Sequence, residues 1–337
     1  MNPTSTSRRN FLQRSAWACT AGTWGSLALP GQAQTAAMAE HLRILCSGPG
    51  GSIPDIVARR AAEQLTGHLA AHVVVDNRPG AAGQLSVAAL KSAPADGNTL
   101  LLAQGAIATV YPYLYPKLGY DPVADLQPVS LAGEMTLGLA VGPAVPAEVS
   151  NVRQLLDWMR RNPKAANVGS PGTGTLPHLL EAMLFRAADT PWQHITYSGG
   201  PPAMTALLGG QIAALVLPEG LLRQHKLSGR LRVLATSGAQ RTAYLPDVPS
   251  LVEQGFADLV VREWFAFFMP ARVPAVSIEA ASAALRLALA RPELVAAFAD
   301  SGMVAVSSTP TAMAQRIASE QRFWAQLLRS TGIRIEA

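Results

Sequence analysis

The chain has little cysteine, few aromatic side chains and no cluster of like charges, and each shortage removes a class of protein. Of its 337 residues only Cys19 and Cys46 are cysteines. Cys19 falls in an amino-terminal leader, so Cys46 is left alone in the mature chain and no intramolecular disulfide can form there. Stability must come from packing. Aromatics are 6% of a chain that is 49% hydrophobic, so the core is expected to be aliphatic. No Lys/Arg cluster with interleaved aromatics occurs, which leaves nucleic-acid binding without an electrostatic footprint. No phosphate-loop Gly-Lys-Ser/Thr is present, and the carboxylates are dispersed, with no paired-acid motif. His68 and His72 are four apart, but Gly67 and the strand that follows place them across a helix end, so no metal site is expected.

What the amino terminus does contain is an address. Arg8-Arg9-Asn10-Phe11-Leu12 precedes a mostly apolar segment, residues 15–29, and a small-residue site, Gly31-Gln32-Ala33. The paired arginines resemble a twin-arginine export signal, and residues 1–33 are expected to be removed. The apolar segment is shorter than the ~20 residues needed to span a bilayer and contains Ser and Thr, against a membrane anchor. Removing residues 1–33 takes away Arg8, Arg9 and Arg14 and no acid, so the formal charge falls from +5 to +2. The basic balance therefore says little about partners. A soluble periplasmic protein is expected.

The remainder reads as alternating strands and helices. A strand at Leu42 to Leu45 leads into Cys-Ser-Gly-Pro-Gly-Gly-Ser-Ile-Pro-Asp, residues 46–55, and then into a helix with Ile56, Val57, Ala61, Leu65 and Leu69 at helical spacing. A short buried strand is expected at residues 73–75, a helix at 81–92, and another buried strand at 99–103. Such alternation implies a parallel sheet whose carboxyl-end loops open on one edge. After a Tyr- and Pro-rich packed connector at 111–128, a long apolar run at 136–141 starts a second set. It comprises helices at 152–161 and 177–186 and strands at 166–169, 194–197, 212–217 and 231–236. A second apolar run spans 259–269, and helices at 277–290 and 310–330 close the chain. Two long apolar runs bracketing the middle suggest strands that cross between lobes. An α/β protein of two lobes with a cleft between them follows, lobe 1 being residues 40–134 plus 263–337 and lobe 2 residues 135–262.

Two glycine loops carry the chemistry. In the first, Gly48, Gly50 and Gly51 precede a helix start at Ser52-Ile53-Pro54, so free amides and the helix dipole favour an anion. The second, Ser170-Pro171-Gly172-Thr173-Gly174-Thr175, has the same logic with hydroxyls added. A dinucleotide-dependent oxidoreductase is the alternative that Gly48, Gly50 and an acid, Asp76, at the end of the next strand raise. Ile53 at the third glycine position and Pro54 at the helix start oppose it. A hydrolase could use Ser170 and His178, but Val168 stands two before Ser170 and the Gly-x-Ser-x-Gly elbow is absent. No catalytic residue and no cofactor are expected.

Several segments together resemble a known family. Pro49-Gly50-Gly51-Ser52-Ile53-Pro54-Asp55, Asp76-Asn77-Arg78-Pro79-Gly80, Ala95-Asp96-Gly97, Leu207-Leu208-Gly209-Gly210-Gln211 and Leu245-Pro246-Asp247-Val248-Pro249 are similar to the Bug receptors, the extracytoplasmic solute-binding proteins of tripartite tricarboxylate transporters. The resemblance covers essentially the whole mature chain. It implies a two-lobed periplasmic-binding-protein fold of type II, a Venus flytrap closing on a small carboxylic acid, without catalysis. It also implies integral membrane permease subunits as partners and no nucleic acid; a monomer is expected. An orphan ligand sensor with this fold is the alternative that the fold does not separate. By resemblance the ligand carboxylate is held at residues 48–53 and 170–175, with His178 near the cleft and Gln104, Tyr197, Leu217 and Glu219 lining the rest. Many members carry Asp where Leu217 stands, which implies a ligand without a cationic group, although Glu219 is close enough to restore one. Ser52 replaces a common glycine, so its hydroxyl is expected near the ligand.

Overall fold

A computed structural model describes residues 39–333, apart from the side chain of Thr331; the expected export signal lies outside the described residues. Chain order begins β1 (Ala39–Cys46), α1 (Ile53–Leu65), β2 (Ala70–Asn77), α2 (Gln84–Lys91) and β3 (Thr99–Gln104). The connector folds into short helices α3 (Ala106–Thr109), α4 (Tyr111–Leu114) and α5 (Pro122–Asp125), then enters the 16-residue β4 (Leu126–Val141). The middle of the chain supplies α6 (Val152–Arg161), β5 (Asn167–Ser170), α7 (Leu176–Ala187), β6 (Gln193–Thr196), α8 (Gly200–Leu208), β7 (Ala214–Pro218), α9 (Glu219–Leu227) and β8 (Arg232–Thr236). It closes with β9 (Arg262–Pro270), α10 (Ala275–Leu289), α11 (Pro292–Asp300), β10 (Val304–Ala305) and α12 (Pro310–Thr331). No described helix is long and apolar enough to cross a membrane.

Strands run in the order β2-β1-β3-β9-β4-β7-β5-β6, with β8 and β10 also on β4. Two groups are parallel, β2-β1-β3 and β6-β5-β7. Strand β4 joins them: residues 126–136 pair antiparallel with β9, and residues 137–141 with β7 and β8. One strand thus serves two halves of the sheet. The chain returns at residues 261–262, where Ser237 pins both passages. Its Oγ accepts from the Leu137 N–H at 2.9 Å and donates to the Val261 carbonyl at 2.5 Å. The second passage is therefore a bend before β9, whereas the apolar run at 259–269 had suggested a continuous crossing strand.

Period-two alternation distributes the strand side chains. On β1, Leu42, Ile44 and Cys46 face one core and Leu45 another; on β9, Phe265, Phe267 and Met269 oppose Trp264, Ala266 and Phe268. A third core forms under α8 and α9 from Leu207, Leu215, Leu217 and Leu222. Strand β2 departs from expectation. It lies at the sheet edge, paired only to β1, and Val74 is 58% exposed, so it is half-covered and not the buried strand its valines suggest. Burial pushes the Cys46 thiol up to about 12, leaving it an inert core residue.

Candidate binding cleft

A cavity of about 680 Å³ lies where the carboxyl ends of β1, β2 and β3 meet those of β5, β6 and β7. Ser47 to Pro49, Ser52 to Pro54 and Pro79 to Gln84 form one bank, with Gln104 and Tyr115. Pro171 to Thr173, Thr175, Thr196 to Gly200, Leu217, Pro218 and Leu221 form the other, and Glu263 and Phe265 of β9 complete it. The two banks approach closely. A Cβ built on Gly199 would lie 2.7 Å from Pro49 Cγ, and the Tyr115 hydroxyl donates to the Thr173 carbonyl at 2.7 Å.

The first loop is braced from behind by side chains. Asp55, in the first turn of α1, reaches back to accept from the Gly51 N–H at 3.0 Å, and is also bonded by Arg59 and Asn77. Burial pushes the Asp55 carboxyl up, but hydrogen bonds from Arg59, Gly51 and Asn77 outweigh it and hold it below the usual carboxylate range. Gly48 is required for space, since a Cβ there would sit 2.3 Å from Ser52 Oγ. The Ser52 hydroxyl donates to the Pro49 carbonyl at 2.6 Å; it lines the cleft with its proton already committed.

Behind Pro79 the chain does something that sequence did not foretell. Where a helix was expected from residue 81, Ala81 and Ala82 take positive φ of 46° and 52° and form a single tight turn before α2 begins at Gln84. Left-handed backbone is unfavourable for alanine. The Ala82 carbonyl compensates by accepting from Gln104 Nε2 at 2.6 Å and the Tyr111 hydroxyl at 2.9 Å. Gln104 also accepts from Ser47 Oγ at 2.9 Å. Gln104 therefore ties the first loop to the turn at Ala81 and Ala82 while lining the cleft.

The second glycine loop spends its amides internally. Gly172 N–H donates to Ser170 Oγ at 3.4 Å, Thr173 N–H to Thr196 Oγ1 at 3.1 Å, Gly174 N–H to His178 Nδ1 at 3.0 Å and Thr175 N–H to the Gly172 carbonyl at 3.2 Å. It supplies shape to the cleft more than free donors.

Of the residues anticipated from sequence, Gly48, Ser52, Ile53, Gln104, Gly172, Thr173, Thr175, Tyr197 and Leu217 line the cavity; Gly50, Gly51, Ser170, Gly174, His178 and Glu219 do not. Ser170 is fully buried, its Oγ 2.8 Å from His194 Nε2. That same nitrogen is the one nearest Glu181, at 4.0 Å, so serine and acid share one ring edge instead of flanking the imidazole as a nucleophile relay requires. His178 stacks on His194 at 3.9 Å. Glu219 is 1% exposed and accepts from Thr242 Oγ1 at 2.5 Å, turned away from the cleft. Asp76, the acid weighed for a ribose, is engaged by Arg78 at 2.9 Å outside the cavity lining. Glu263 and Phe265 were not anticipated; their signal was two-residue alternation within the apolar run at 259–269.

The electrostatics follow from helix direction. Helices α1 and α8 start at the cavity wall, at Ile53 and Gly200, and the residues that cap α7 and α2, Thr175 and Gly83, line it too. The helix dipoles make the wall positive without any basic side chain, since no Lys, Arg or His is among the lining residues. Among described residues no group of three or more His, Cys, Asp or Glu could hold a metal.

Two α/β halves sharing a strand, with loops converging on a cleft between them, define a two-lobed solute-binding protein. Residues 57–333 match the tripartite tricarboxylate transporter family receptor, and the chain belongs to that family of periplasmic solute-binding receptors. It is 32% identical over 299 residues to protein BugT of Bordetella pertussis, covering 88% of this chain and 91% of that one. The periplasmic binding protein BugD superposes with a TM-score of 0.82 at 25% identity, over 88% of this chain and 99% of that one. MatC from Rhodopseudomonas palustris, solved with bound malate, shares the fold with a TM-score of 0.80 at 23% identity, over 86% and 99%.

Proposed function

We propose that the cleft captures a small carboxylic acid in the periplasm and delivers it to the membrane permease subunits of a tripartite tricarboxylate-type transporter, without chemical change to the solute. One observation carries this reading: helix starts and amide-bearing turns converge on a cavity that has no basic side chain. A backbone cradle of that kind favours a carboxylate. The family's own description names carboxylates as the cargo of its transporters. Lobe 1, residues 40–134 plus 263–337, and lobe 2, residues 135–262, would close about the two passages held by Ser237. The receptor acts as a monomer and reaches the periplasm through the twin-arginine signal of residues 1–33.

Thermal melting across a panel of organic acids tests the reading, because a ligand that binds only the folded state raises Tm. A shift of several degrees for one acid class, with the acid recovered unchanged, is the expected result. No shift for any acid, or conversion of the acid to product, contradicts it.

A further inference from the structure

The cleft has one charged side chain, and it is acidic. Glu263 lies on β9, on the same strand face as Phe265, and both line the cavity. It is 5% exposed. Among the described residues its carboxylate has no hydrogen-bond or ion-pair partner, which separates it from Glu219, whose carboxylate is bonded by Thr242. Glu181 also lacks a hydrogen-bond partner, but it is fully buried away from the cleft with His194 at 4.0 Å. Among the described residues, only Glu263 combines an uncompensated carboxyl with an opening onto the binding space.

Burying a carboxyl without a partner is costly, and the ordinary structural solution is a hydrogen bond or a cation nearby. Neither is supplied by the protein, and burial pushes the Glu263 carboxyl up to about 7. The surroundings suit a cation: Tyr115, Tyr197 and Phe265 line the same cavity, and aromatic faces attract cations. A second carboxylate on the ligand would instead meet Glu263 as a like charge with no Lys, Arg or His to separate them.

We propose that Glu263 is a specificity-determining residue that pairs with a cationic nitrogen, so that the solute is a zwitterionic acid whose carboxylate sits on the amide-bearing loops and whose ammonium, free or alkylated, reaches β9. This rests on the carboxylic-acid reading of the cleft. It also reverses the expectation drawn from Leu217: the acid missing from the β7 wall is replaced by one on β9.

The test uses the full mature chain, freed of bound solute by unfolding and refolding, in calorimetric titrations with chain-matched sets. Each set holds a monocarboxylate, its amino acid with the nitrogen at successive positions, the trimethylammonium acid, and the dicarboxylate. A zwitterion is expected to bind at least about tenfold more tightly than its uncharged and dicarboxylate counterparts. Glu263→Gln, an isostere of the protonated acid, should lose at least about tenfold for the zwitterion and keep or improve dicarboxylate binding. Its Tm should equal or exceed that of the parent, which separates lost recognition from lost folding. Undiminished zwitterion binding by Glu263→Gln, or a dicarboxylate that outcompetes every zwitterion in the parent, overturns the proposal while leaving the carboxylic-acid reading intact. Binding by no acid of any set overturns both.

Discussion

The Tyr115 hydroxyl donates to the Thr173 carbonyl at 2.7 Å, and these two residues belong to opposite banks of the cleft. The bond joins the end of α4 to the second glycine loop, so it forms only when the banks are close. Tyr115→Phe keeps the ring, which packs on Tyr111 at 5.1 Å, and removes the hydroxyl with its bond to Thr173 across the cleft and its contact with Gln84 on its own bank. A net hydrogen bond contributes about 0.5–1.5 kcal/mol, so ligand affinity should fall roughly two- to twelvefold with Tm little changed. Calorimetric titration checks this; unchanged affinity would mean that the bond plays no part in the bound state.

Gly199 and Pro49 make the other close approach. Gly199 has φ of +114°, and an added Cβ would stand 2.7 Å from Pro49 Cγ. Gly199→Ala therefore strains its own backbone, at about 1–3 kcal/mol, and holds the banks apart. At least tenfold weaker binding is expected, with X-ray scattering showing less compaction by saturating ligand than in the parent.

Ser237 joins the passages between halves, receiving the Leu137 N–H and donating to Val261. It is fully buried, so Ser237→Ala orphans a buried donor and a buried acceptor. A loss of about 1–3 kcal/mol in denaturant unfolding is expected. Ser228→Ala, which removes an exposed hydroxyl bonded to the His225 carbonyl, should stay within about 0.5 kcal/mol.

Acid should loosen the second loop through its histidines. Burial lowers His178 to about 4, with the neighbouring His194 adding to the effect, and burial lowers His194 likewise to about 4, from a usual 6.5. The unfolded chain binds more protons than the folded one between those values, so stability is full above pH 6.5 and falls as pH drops toward 4. His178 Nδ1, which accepts from Gly174 N–H, loses that bond on protonation. Glu181 acts in the opposite sense: burial raises its carboxyl well above 4.5, so its contribution declines as pH rises from 4.5. Glu181→Gln should therefore steepen the fall in Tm between pH 6.5 and 4, and His178→Asn, which keeps an acceptor for Gly174, should flatten it. Parallel profiles for all three proteins would contradict this balance.

The elements were legible wherever period and punctuation agree. Helix α6 occupies residues 152–161 as read, because Asn151 caps it and its apolar residues recur on one face. The first loop was legible because glycines, a strand and a Pro-started helix occur together. Other features depend on contacts between distant segments. Nothing local marks Ala81 and Ala82 as left-handed; Gln104 and Tyr111 hold them so from over twenty residues away. The amides of the second loop looked free for a ligand, yet Thr196 and His178 take two of them. Glu263 was hidden by its neighbours: in an apolar run, one acid reads as a strand edge until the sheet order places it against the cleft.

The central claim is that the cleft recognises a carboxylate through backbone amides. Calorimetric titration of the refolded, solute-free protein with organic acids and the primary amides of the same acids tests it most directly, since the pairs differ in charge and little in shape. Saturable binding at one site per chain by an acid, with its amide at least a hundredfold weaker, is the expected result. Equal binding of acid and amide would contradict the account.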